Sequence, residues 1–259
     1  MKRNKTMDIL RGLGILFVVL GHCIEKPIIK NFIYSFHLPF FFILAGYLYK
    51  EENQKEPGKY IIKKGKMYIG YYVVYNTILV ALHNIFLSLQ IIEAPLYYPA
   101  NYVYGFLNSF LMTSLEPFSA AMWFLPVMLV SMILFHLILC YQKDKKNQIL
   151  IILLLSIVGI YITQKNMNLG LHYQTSLTVL PFLYIGYLWK QYDKKRKPNL
   201  GIGLLCLAIT IGQCIYIPNT VELSMNEIGN LFLFYTIPLA MTYFLYTISY
   251  YINQETKHL

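Results

Sequence analysis

Residues 7–23 read MDILRGLGILFVVLGHC. The run is apolar enough for a membrane-spanning helix, yet it carries Asp8, Arg11 and His22. An ionisable side chain near the middle of a bilayer costs about 3 kcal/mol or more, so residues of this kind mark a candidate site. At about 100° per residue, Asp8, Arg11, Ile15, Val18 and His22 fall on one line along the helix. Arg11 and His22 are then roughly 16 Å apart along the axis. Gly12, Gly14 and Gly21 leave room for neighbouring helices to approach. The polar line is expected to face the protein interior rather than lipid.

The rest of the composition agrees with a membrane setting. Of 259 residues, 57% are hydrophobic and only 13% are charged, where a soluble domain has about 25% charged. Lipid is therefore expected to cover most of the surface. The formal net charge of +10 comes from short basic runs between apolar stretches. That pattern orients a protein in a membrane and argues against nucleic acid as a partner. Cys23, Cys140, Cys206 and Cys214 form no CxxC pair, so neither a disulfide framework nor a metal site is indicated. The opening MKRNK could begin a signal peptide, but Asp8 and Arg11 interrupt the apolar part and no small-residue cleavage site follows. The first helix is expected to stay in place.

A span needs about 20 residues to cross roughly 30 Å of hydrocarbon. Eight runs qualify, at about 7–24, 31–49, 67–91, 121–141, 148–164, 175–192, 200–217 and 230–252. The expected fold class is all-α, a polytopic transmembrane helix bundle forming one integral-membrane domain over 1–259. With the N-terminus placed in the cytoplasm, the inside segments hold eighteen Lys and Arg residues, among them Lys50, Lys55, Lys59, Lys63, Lys64 and Lys66. The outside segments hold Lys26, Lys30 and Lys165 only. A bias of that size supports eight spans with both termini cytoplasmic. Segment 92–120, rich in Tyr, Phe and Pro, is too broken to span and is expected to lie in the outer interface. The basic loop 50–66 has two readings: topology with attraction to anionic lipid, or a docking surface for an anionic cofactor such as a nucleotide.

The second span, NFIYSFHLPFFFILAGYLY, returns from outside, which places His37 roughly 9 Å below the outer edge. His22 and His37 are then at similar depth on helices joined by a short loop, and can share one site. His83 and His136 read as satisfied interhelical hydrogen-bonders, while His172 and His258 carry no signal. Pro39, Pro126, Pro181 and Pro238 read as kinks that open cavities.

These residues carry a resemblance. Arg11-Gly12-Leu13-Gly14 through Gly21-His22, followed by SFHLPFFFILAGYLY, resembles the membrane acyltransferase family 3. MWFLPVMLV from Met122 and PFLYIGYLWKQY from Pro181 look like its later helices, in the right order. The resemblance implies a bacterial O-acyltransferase, most often acetyl, of the cell membrane. Acyl-CoA would be the cytoplasmic acyl donor, and a hydroxyl of a capsule, exopolysaccharide or lipid-linked glycan the acceptor. His22 matches the family's essential histidine, a general base or transient acyl carrier, which suits imidazole because its pKa lies near the working pH. Arg11 matches the essential arginine, which binds cofactor phosphate or the thioester oxygen. Asp8 orients Arg11, and His37 and Trp123 line the substrate site. Family members commonly have about ten helices, with a Ser-containing helix and a further His late in the chain. Here TISYYINQETKHL stands where that segment would begin, so a chain lacking the last helices is expected. The alternative is a polysaccharide exporter or small-solute transporter, in which the same buried Asp, Arg and His line a path or couple protons. Against it, no paired broken helices or matching halves stand out.

Overall fold

Local chemistry punctuates the chain. Asn4 opens α1 (Lys5–Cys23) by accepting from the Met7 amide at 3.4 Å. Proline sits at the start of α2 (Pro27–Tyr34), α4 (Pro57–Ser88) and α5 (Pro99–Leu111), where its missing N–H costs nothing. α3 spans His37–Leu48 and α6 Phe124–Tyr141. Asp144 caps α7 (Lys145–Gln164), a single turn forms α8 (Thr175–Thr178), and α9 follows at Leu180–Asp193. Asn199 caps α10 (Leu200–Tyr216), and Asn230 accepts from two amides at the start of α11 (Leu231–Glu255). The structure is a computed structural model that describes residues 4–112, 121–165, 167, 169–170, 172–193, 197–217, 221–225 and 227–255. Lys2, Arg3, Lys194, Lys195, Arg196, Lys257, His258 and the end of segment 92–120 lie outside those residues.

The fold class is all-α: 82% helix, with no strand among the described residues. Among the described residues, six helical segments are long and apolar enough to cross a membrane: Lys5–Cys23, Pro27–Leu48, Pro57–Ser88, Ala121–Tyr141, Lys145–Gln164 and Leu231–Glu255. Each of the eight expected runs has a helical counterpart. The run at 175–192 is divided into α8 and α9, and α10 has 17 residues, which leaves both short of those six.

Two compact units emerge, one of residues 1–49 with 181–259 and the other of residues 50–180. In the first, α1, α3 and α11 bury Met7, Leu10, Phe36, Phe40, Leu44, Met241 and Leu245 around a common core. Trp189 of α9 fits between Tyr47 and Tyr246, with ring centroids 5.2 and 4.8 Å away. α3 and α9 cross backbone to backbone: a Cβ on Gly46 would stand 1.9 Å from the Leu183 carbonyl oxygen, and one on Gly186 1.9 Å from that of Ile43. Beside this crossing, Lys190 Nζ donates to the Tyr49 carbonyl at the end of α3. Asn253 Nδ2, near the end of α11, donates to Thr6 Oγ1, near the start of α1, at 2.9 Å.

The second unit packs α4 against α5 and α6, and α8 against α6 and α7. Its core includes Tyr72, Val80, Val127, Phe135 and Leu139. Asn76 Nδ2 donates to Ser109 Oγ at 2.7 Å, holding the 13-residue α5 on α4. The other face of α5 leaves Tyr104, Phe110 and Leu111 65–70% exposed in a helix too short to span, as an interfacial element would.

Several expectations are corrected. α4 begins ten residues early, at Pro57, so Lys59, Lys63, Lys64 and Lys66 ride on helix rather than loop. Pro39, Pro126 and Pro181 stand in the first turns of α3, α6 and α9, where no interior hydrogen bond is lost; Pro238 alone of the four lies inside a helix. Gly14 receives the Phe40 ring and Gly21 receives Ile33 and Tyr34, but Gly12 has nothing within 4 Å.

Candidate functional site

The polar line of α1 is present, and it is rotated. The helix buries Met7, Leu10, Gly14 and Gly21, and Phe17 packs on the same core. Each is followed by one residue of the polar line: Asp8, Arg11, Ile15, Val18 and His22. A step of one residue turns the line about 100° from the packed face. Arg11 and His22 are accordingly exposed instead of buried between helices. An accessible wall of this kind suits a substrate better than a packed helix contact does.

Near the start of α1, Arg11 Nη1 stands 3.8 Å from Asp8 Oδ1, with the side chains 49% and 31% exposed. The separation exceeds a hydrogen bond, so the pair is an electrostatic contact that leaves the guanidinium fork available.

Past the far end of α1, Pro39 shapes the geometry. Its ring collides with the carbonyl four residues back, so the helix breaks at Ser35–Phe36 and restarts at His37. Ser35 Oγ donates to Phe32 O at 2.7 Å, and the Ile33 carbonyl accepts from the Phe36 amide at 3.2 Å. The same carbonyl lies 2.9 Å from His37 Nδ1. A carbonyl only accepts, so Nδ1 carries a proton and, in the neutral ring, Nε2 keeps the lone pair. His37 itself is 3% exposed.

Tyr34 joins the two histidines. Its ring lies 4.7 Å from that of His37 and 6.5 Å from that of His22, centroid to centroid. It seats on α1 at Gly21, where a Cβ would come within 3.3 Å of Tyr34 Cε2. Lys30 Nζ stands 5.1 Å from the ring centroid. His22 is also within electrostatic reach of His37. The structure thus brings His22 and His37 into one cluster, as their matched depth suggested. Tyr34 was missed in the sequence, although its position three residues before His37 puts it on the same helical face.

Trp123 belongs to the second unit, where it is buried and meets His172 edge to face at 5.6 Å. His83 donates from Nε2 to Pro95 O at 2.9 Å and stacks on Tyr97 at 3.5 Å, a satisfied interior histidine. His136 packs on Tyr60 at 4.2 Å and stands 3.6 Å from Cys140 Sγ. On α4, Lys59, Lys63 and Lys66 are exposed, and Lys64 lies 5.8 Å from both the Tyr60 and Tyr68 rings. Among the described residues no group of His, Cys, Asp and Glu is arranged to hold a metal ion.

Comparison with known proteins decides the family. The profile of a family described as "Acyltransferase domain" matches residues 4–257, nearly the whole chain. The chain belongs to acyltransferase family 3. No curated protein and no solved structure matches it. Family membership and the six long apolar helices make it a multi-pass membrane acyltransferase. Within this acyltransferase, the Arg11–His22 stripe and the His22–Tyr34–His37 cluster occupy one unit and one continuous stretch of chain.

Proposed function

We propose that the protein is an O-acyltransferase of the cytoplasmic membrane, moving an acyl group, most often acetyl, from acyl-CoA to a hydroxyl of a surface glycan. The carrying observation is the accessible stripe on α1, with a guanidinium toward one end and an imidazole cluster toward the other. In this reading the whole chain acts as one domain with eight crossings. The two shorter helical segments complete the count, and both ends are cytoplasmic by the distribution of Lys and Arg.

The residues fit an anionic thioester donor. Arg11 keeps donors for a phosphate of the donor, and Asp8 biases its orientation without occupying the fork. The exposed lysines at the start of α4 supply a separate attraction for anions, from donor or lipid headgroup. His22 takes the proton from the acceptor hydroxyl as the new oxygen–acyl bond forms and the carbon–sulfur bond breaks. That proton then passes to the departing thiolate. His37 offers a second imidazole with its free lone pair fixed at Nε2. Trp123 is assigned to the substrate path on the family resemblance alone.

The test uses membranes containing the protein, acetyl-CoA labelled in its acetyl group, and de-O-acylated surface polysaccharide from the organism that carries the gene. Label should reach the glycan, and His22→Ala and Arg11→Ala should each abolish transfer at unchanged expression. Undiminished transfer in either variant removes that residue from the mechanism. Absence of transfer by the parent protein, with coupled movement of glycan or solute, favours an exporter or transporter instead.

A further inference from the structure

The His22 imidazole stands exposed in the last turn of α1, and among the described residues it makes no hydrogen bond and no ion pair. A base that must meet one hydroxyl is ordinarily oriented by a third group, a carboxylate in the hydrogen-bonded triads. The acid on α1, Asp8, is 14 residues away, roughly 21 Å along the axis. What stands beside His22 is a ring. The Tyr34 centroid lies 6.5 Å from that of His22, with the two planes at 68°.

Tyr34 is itself held from three sides. Gly21 lets α2 lie on α1 here: a Cβ at that position would stand 3.3 Å from Tyr34 Cε2 and 3.1 Å from Ile33 Cγ2. The His37 ring packs on Tyr34 at 4.7 Å, tilted by 59°, and His37 is tied to the Ile33 carbonyl. One turn earlier on α2, Lys30 Nζ lies 5.1 Å from the Tyr34 centroid. Edge-on and tilted ring pairs of this spacing are directional, because the positive edge of one ring meets the negative face of the other. A line of contacts thus runs from fixed backbone through His37 and Tyr34 to His22. The Tyr34 hydroxyl makes no hydrogen bond among the described residues, so the ring carries the contact.

We propose that Tyr34 is the positioning residue for His22, its ring standing in for the carboxylate that orients the base of a hydrogen-bonded triad. A histidine at the exposed end of a helix otherwise samples several rotamers, and few of them aim a ring nitrogen at the acceptor hydroxyl. Tyr34 narrows that set before the acceptor arrives, and it exchanges no proton. The proposal rests on the acyltransferase reading above and names the group that aims its base.

Two readouts test the role apart from that reading. The first is acetyl transfer to the de-O-acylated polysaccharide, cut to soluble oligosaccharides. Tyr34→Leu should lower kcat about tenfold or more and keep both KM values within about twofold, because lost aim slows the chemistry without weakening binding. Tyr34→Phe keeps the ring and should restore about half of the parent kcat or more. The second readout needs no turnover: NMR of the detergent-purified protein labelled with carbon-13 at histidine Cε1. The His22 and His37 signals are identified by their loss in His22→Gln and His37→Asn. Tyr34→Leu should move both through the lost ring current, while the signals of His83 and His136 stay. Tyr34→Phe should leave all of them near their parent positions. Parent kcat in Tyr34→Leu, or an unmoved His22 signal, overturns the proposal. An equal loss in the Phe and Leu variants also overturns it, since the hydroxyl would then be the acting group. So does a raised acceptor KM at unchanged kcat. If the parent protein transfers no acetyl group, the acyltransferase reading falls and the catalytic role of Tyr34 with it, a different failure from full transfer by Tyr34→Leu.

Discussion

His37 Nδ1 donates to the Ile33 carbonyl across a helix break, at 2.9 Å. The bond gives the Ile33 carbonyl a second donor beside the Phe36 amide and sets the tautomer of a buried imidazole in the same step.

Two substitutions divide those roles. Asn places an amide donor close to where Nδ1 stands but has no counterpart to Nε2. His37→Asn should therefore melt within about 2 °C of the parent in detergent, while transfer falls at least tenfold. His37→Ala should lose both, with about 1 kcal/mol of stability removed as the Ile33 carbonyl loses a partner. Full activity in a stable His37→Asn protein would assign the residue to structure alone.

Arg11 and Asp8 should respond unequally. Their contact is long and half in solvent, and such pairs contribute about 0–1 kcal/mol. Asp8→Asn is expected to leave stability unchanged within about 0.5 kcal/mol and to lower transfer only several-fold. Arg11→Lys should retain little activity, because an ammonium cannot reproduce the planar fork. Thermal shift and label transfer on the same preparations give both numbers.

Gly46 and Gly186 should tolerate nothing larger. Elsewhere in a helix Gly→Ala gains about 1 kcal/mol in propensity. Gly46→Ala and Gly186→Ala instead drive a Cβ into carbonyl backbone, and the cost should reach about 3 kcal/mol or more. Gly12→Ala and Gly212→Ala, with open space around them, should be neutral or stabilising. Fluorescence-detected size exclusion after a heating series ranks the four.

Thr6 and Asn253 tie the start of α1 to the end of α11. A double-mutant cycle with Thr6→Val and Asn253→Leu should give a coupling energy of about 0.6–2 kcal/mol, the range for hydrogen bonds between membrane helices. Additive losses would show that the bond carries no stability.

The apolar runs made most of the helices readable, because lipid imposes length and composition on a span. Other features depend on partners that no single helix encodes. On α1 the lines through Met7 and through Asp8 are adjacent and both include apolar residues. Which one packs is decided by Phe40 of α3 and by α11, and so the orientation of the stripe was misread. Pro39 was legible as a disruption, but only the restart at His37 shows that it opens a helix. Depth alone links His22 and His37 in the sequence, and Tyr34 between them needs coordinates.

The crossing of α3 and α9 has a mechanical meaning for the site. With no side chain between the two backbones and Lys190 holding the end of α3, the crossing is the point from which the position of His37 is set. His37 lies nine residues from Gly46, an arm of about 13.5 Å. A tilt of about 10° would carry the imidazole roughly 2 Å, the distance between a hydrogen-bonded acceptor and one just out of reach.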